Sequence, residues 1–120
     1  MTHSISIAPL NSLVLVAEAP TQEGPSAFDG KGVAATPSCI AVVCFPEPDG
    51  ETKVSLGPCK DMDGAPEFSA VLDTPNRKVA VWTIEWQKLL TASVPTERTK
   101  ISIWRNHPRW PTEVYIGIGE

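Results

Sequence analysis

The sequence predicts an all-β fold, a single-domain antiparallel β-sandwich with at most one short helical turn. Three observations lead there. The chain has 120 residues, 42% of them apolar, which is enough for one core and too apolar for disorder. Twelve prolines and eight glycines punctuate it at short intervals, as turns between short strands would. Apolar residues recur with period two in several segments, and no strand-helix-strand rhythm accompanies them, so about seven or eight antiparallel strands are expected. The domain is expected to span residues 1–120, and no internal repeat is present.

Taken in order, Ser4 to Ile7 alternates and is stopped by Pro9, and Ser12 to Glu18 is a denser apolar run that ends before Pro20; both suit strands. Residues 21–37 carry Gly24, Pro25, Gly30, Gly32 and Pro37 with little periodicity and read as a long connection, pinned to the core by Phe28. Ser38 to Phe45 is continuously apolar and β-branched, the signature of a strand covered on both faces. Pro46, Pro48, Asp49 and Gly50 make a turn, from which Thr52 to Leu56 returns as the hairpin partner. Gly57 to Pro66 is a second long loop, and Glu67 to Asp73 a further strand. The turn Thr74-Pro75-Asn76-Arg77 closes that strand, with proline at the second turn position.

Lys78 to Leu90 supports two patterns. As a strand, Ala80, Trp82, Ile84 and Trp86 share one face; as a helix capped by Thr83, Trp86, Leu89 and Leu90 form a stripe. The expectation is a strand through about Trp86 and then one helical turn, with residues 91–99 as a polar link to the end of the chain. There, Ile101 and Ile103 face one way while Lys100, Ser102 and Trp104 face the other, and Val114, Ile116 and Ile118 repeat the alternation. Between them lies a loop with two prolines, Pro108 and Pro111, so the unit reads as a hairpin with a long tip.

A net charge of −4 and a pI near 5.1 argue against a nucleic-acid partner, since neutralising phosphates needs concentrated Lys and Arg. A basic or neutral protein partner suits this field better, although solubility alone would account for the charge. The apolar run Leu13 to Ala17 is far too short to span a bilayer and follows no basic segment, so neither a signal peptide nor a membrane role is expected. Three cysteines, an odd number, fit a reducing, cytoplasmic setting. Cys39 and Cys44, five positions apart, would point to opposite faces of one strand as small apolar filler.

No enzyme is expected. Asp61-Met62-Asp63-Gly64 resembles the opening of a calcium loop, but the twelfth position is Leu72, so the bidentate glutamate is missing. Cys59 and His107 form no recognisable nucleophile motif, and two histidines with three scattered cysteines give no metal-ligand spacing. The glycines before the apolar strand lack the Gly-Lys-Ser/Thr ending of a phosphate loop, and no cofactor is predicted. The tip is the better site: Trp104, Arg105, Arg109 and Trp110 lie within seven positions, and Trp and Arg combine apolar area with directional donors. These four are the candidate partner-binding residues. The competing assignment is structural, with Trp104 closing an end of the sandwich and the arginines stacked on the indoles. Trp82 and Trp86 are expected in the core. The other function class is a small-molecule or carbohydrate site using the same indoles.

The order of features resembles the competence protein J family, small acidic β-sandwich inhibitors of a DNA-entry nuclease. The features are the strand pair within Ser4 to Glu18, Phe28-Asp29-Gly30 leading to Ile40 to Phe45, and Trp82 followed by the final hairpin with Val114 to Gly119. The resemblance implies a nuclease inhibitor and assigns a role to no single residue; for a non-enzymatic protein-binding domain, inhibitor, immunity-type and regulatory roles all fit.

Overall fold

The computed structural model describes residues 2–22, 24–25, 32–109 and 111–119. Phe28, Asp29, Gly30 and Trp110, all singled out above, lie outside them. The described residues form ten strands in two five-stranded sheets, so the all-β expectation holds with more strands than the periodicity suggested. They are β1 (His3–Ile7), β2 (Leu13–Ala17), β3 (Val33–Thr36), β4 (Cys39–Val43), β5 (Thr52–Pro58), β6 (Phe68–Asp73), β7 (Lys78–Trp82), β8 (Lys88–Ser93), β9 (Arg98–Arg105) and β10 (Glu113–Ile118). The first sheet runs β1-β5-β10-β9-β6 and the second β3-β4-β2-β7-β8. All pairings are antiparallel except β5 with β10, which is parallel. No α-helix occurs among the described residues, and hence no helix long and apolar enough to cross a membrane.

The core lies between the sheets because each contributes one alternating apolar face. Val14, Val16, Ile40, Val42, Val79 and Val81 come from the second sheet, and Val54, Leu56, Leu72, Ile101, Ile103, Val114 and Ile116 from the first. Thr74, buried at one end, is satisfied by bonding from its hydroxyl to the Thr96 carbonyl at 2.9 Å and by sharing a 2.9 Å hydrogen bond with Thr99. The predicted turn at 74–77 is closed by the Arg77 amide on the Thr74 carbonyl, and the Glu18 carboxylate accepts from the Asn76 and Lys78 amides at 2.7 and 3.2 Å.

Four local expectations are corrected. The long connection 21–37 ends in strand β3, paired with β4 through a two-residue turn at Pro37 and Ser38; its Val-Ala-Ala-Thr run is four residues long with alanine at its centre, too short to announce itself by alternation. Thr52 to Leu56 does not return beside Ser38 to Phe45. The segment with Pro46, Pro48 and Gly50 carries the chain across to the other sheet, where β5 lies between β1 and β10. The Thr52 hydroxyl accepts the Phe45 amide at 2.9 Å at that crossing, so the first residue of β5 ends the run that began with β4.

The strand at Lys78 stops at Trp82 instead of Trp86, and no helical turn follows. Thr83 caps a hairpin loop instead: its hydroxyl accepts from the Glu85 and Gln87 amides, and Trp86 adopts a left-handed φ of 63°. Leu89, Leu90 and Ala92 then pack against the core from β8, whose last residues take up the start of the expected polar link, while β9 takes up its end. Truncating the first sheet's central contact by Ile103→Ala should destabilise the chain by about 3 kcal/mol, lowering the thermal midpoint by roughly 10 °C in a calorimetric scan.

Candidate functional site

The final hairpin is formed as predicted, with Tyr115 opposite Trp104 and Ile116 opposite Ile103. Period two sends the isoleucines into the core, where both are fully buried, and turns Trp104 and Tyr115 onto the outer face of the first sheet. The two rings meet edge to face, 5.9 Å between centroids at 78°. They lean over a patch without side chains, because Gly57 and Gly117 are paired directly across β5 and β10. A Cβ at Gly117 would come within 2.7 Å of the Trp104 ring and of the Cys59 sulfur, and one at Gly57 within 2.6 Å of the Tyr115 hydroxyl. The indole N–H donates to the Gly64 carbonyl at 3.3 Å and the phenol to the Pro58 carbonyl at 2.8 Å, so the rings are fixed by the end of β5 and the loop that follows it.

One residue further on, Arg105 turns the other way. Its Nε and Nη2 bind the two oxygens of Glu67 at 2.8 and 2.7 Å, its Nη1 donates to the Val43 carbonyl at 3.2 Å, and Nη2 also reaches the Pro108 carbonyl at 3.1 Å. The side chain is 1% exposed. It therefore joins the first sheet, the second sheet and the tip, and presents no guanidinium to solvent.

The tip has its own framework. The Asn106 carbonyl oxygen accepts the Thr112 and Glu113 amides at 2.9 and 3.1 Å, and its amide group donates to the Thr112 hydroxyl at 2.9 Å. Arg109 is exposed, with its backbone amide on His107 Nδ1 at 3.1 Å. The four predicted contact residues thus separate: Trp104 stands half-buried on the outer face, Arg105 is enclosed, Arg109 is at the surface, and Trp110 is outside the described residues.

What residue order alone did not reveal is a groove of about 440 Å³ on this outer face, with Trp104, Tyr115 and Met62 as its apolar walls and Lys53, Glu113, Ser4 and Ser55 among its polar lining. Tyr115 enters the site as the residue paired with Trp104 across the final hairpin. Lys53 and Glu113 are neighbours only through the parallel β5–β10 pairing. The serine hydroxyls bond to each other across β1 and β5 at 2.8 Å.

Other candidates are accounted for internally. Trp82 lies on the outside of the second sheet over Ala17, Cys39 and Ala80, with its N–H on the Ala17 carbonyl at 2.9 Å and Trp86 packed edge to face at 5.7 Å. Asp61 accepts from the Thr2 hydroxyl at 3.3 Å, and Gly64 supplies a turn with φ of 79°. Cys39 and Cys44 are buried and free, on opposite sides of the second sheet. Burial pushes the Cys39 thiol up to about 11 and the Cys44 thiol to about 12, the latter against smaller lowering by the Thr52 hydrogen bond and the Arg105 charge.

The architecture is shared with solved structures of other proteins. ComJ from Bacillus subtilis, an inhibitor of the DNA-degrading activity of NucA, matches with a TM-score of 0.63 at 11% identity, covering 100% of this chain and 95% of that one. The product of crocagin biosynthetic gene J matches with a TM-score of 0.56 at 11% identity, covering 98% and 94%. The resemblance to the competence protein J family is thus present in the structure, as a likeness of fold. No protein-family model matches the chain, and no curated protein is significantly similar to it in sequence.

Arg105→Ala should cost about 3 kcal/mol, because Glu67 and two carbonyls lose a buried donor. Glu67→Gln should cost about 2 kcal/mol, since the amide keeps one acceptor but removes the counter-charge of a guanidinium that is 1% exposed; urea titrations of both variants check this. The buried thiols make a second expectation. Unfolded cysteines release their protons near 9.0 while the folded chain retains them, so stability present at neutral pH should fall as pH rises from 9 towards 11, and fall less in a Cys39→Ala, Cys44→Ala chain.

Proposed function

We propose that the chain is a non-catalytic protein-binding module of inhibitor type, working in a reducing, cytoplasmic setting on a neutral or basic partner. The observation that carries this reading is the likeness along the whole chain to ComJ, itself an inhibitor. Its contact surface is the outer face around Trp104 together with the tip that carries Arg109 and Trp110, where Arg109 is free to meet a partner's carboxylate or carbonyl groups. The rigid base beneath that surface supports the same reading. Arg105 and Asn106 hold the tip from both ends, so a partner would meet a preorganised surface and little ordering entropy would oppose association.

Affinity capture from a native lysate of the chain's own organism tests it. The unaltered chain should retain one specific polypeptide, and Arg109→Ala with Trp110→Ala should lose it while stability stays within about 1 kcal/mol. A large loss of stability in that variant would make the tip structural. If the retained protein keeps its full activity when saturated, the inhibitor role fails although binding stands.

A second reading, a small-molecule or carbohydrate site, is favoured by the groove beside Trp104, whose volume of about 440 Å³ falls in the range of small-ligand pockets. Saturable quenching of tryptophan fluorescence by a small ligand supports it.

A further inference from the structure

The groove on the first sheet places two opposite charges side by side. Lys53 and Glu113 are direct neighbours across the parallel β5–β10 pairing, and among the described residues neither makes an ion pair. Both side chains are exposed and line the cavity. Adjacent strands lie about 4.8 Å apart, so the two positions can engage an ammonium and a carboxylate borne on a single carbon. A zwitterionic head group would answer both charges with charge-assisted hydrogen bonds, which are stronger than those a neutral sugar hydroxyl offers.

The next pair along the same face is Ser55 and Tyr115, with Trp104 beyond Tyr115. Residues two apart on a strand are separated by about 7 Å, so a side chain extending from the charged pair falls on the Tyr115 and Trp104 rings, with Met62 lining the same groove. We propose that this groove binds a free α-amino acid with a large apolar or aromatic side chain, its ammonium at Glu113, its carboxylate at Lys53 and its side chain against Trp104 and Tyr115. The proposal rests on the second reading above and narrows it to one ligand class.

Isothermal titration of the full chain with L-phenylalanine, L-leucine and L-methionine tests it, beside N-acetyl-phenylalanine amide, which lacks both charges, and a panel of neutral sugars. Saturable binding of the free amino acids is expected, weakened about tenfold or more by blocking both termini and by Lys53→Met or Glu113→Gln, with unchanged thermal midpoints in both variants. Equal binding of the blocked derivative, or binding of sugars alone, overturns the proposal while leaving a small-ligand groove in place. Absence of any heat with every compound removes the groove reading as well.

Discussion

The buried guanidinium of Arg105 determines what the tip can do. It sits where β9 ends, and its four hydrogen bonds reach Glu67 ahead of β6, Val43 at the end of β4 and Pro108 in the tip itself. A charge this enclosed is tolerated because a carboxylate and two carbonyls satisfy it, and the geometry to Glu67 is the two-pronged one that arginine alone provides. The cost of burying it is offset by position: three segments far apart in sequence are held at one corner, and the base of the tip is tied to both sheets. Close approach of the backbone is part of the arrangement, since a Cβ at Gly32 would collide with the guanidinium.

The two sheets differ in how they treat their outer faces. On the second sheet, Trp82 and Trp86 cover small residues, so Cys39 and Ala17 are fully buried although they point away from the main core. On the first sheet the aromatic pair is pulled down over two glycines, and the face beside it stays concave. The same residue type therefore closes one face and leaves a groove on the other. The difference comes from the neighbours on each strand: alanines and a cysteine give an indole a flat bed, whereas paired glycines let the rings sink and leave space alongside.

Residues with strong local patterns were legible in the sequence. The isoleucines of the last hairpin, the apolar run of β4 and the Thr74 turn announce themselves through period, β-branching and proline placement. What was hidden depends on distant partners. β3 is only four residues long, with alanine at its centre, and is held by β4; the neighbours of β5, which are β1 and β10, are distant in sequence, so its local pattern points to the wrong partner. Trp86 continues the alternation of β7 in the sequence, yet Thr83 turns the backbone before it. At the site, Trp104 could be picked out by residue type, but the inward turn of Arg105 depends on Glu67, thirty-eight positions earlier. The groove depends on one parallel pairing that no local pattern encodes.

That pairing also sets the order in which the first sheet can be completed. β5 and β9 do not touch as strands; β10 lies between them and bonds to both. Until β10 is in place the sheet is two separate pieces, β1 with β5 and β6 with β9, each presenting an apolar face and an unpaired edge. The final strand of the fold is thus its keystone. β10 joins β9 as a local hairpin, but the loop-closure entropy of a long excursion has to be overcome before it meets β5, which makes that closure late and slow compared with the local hairpins of the fold. A newly made chain is most exposed to edge-to-edge association in that interval, so the strand that builds the groove also ends the period in which the protein is most prone to aggregate.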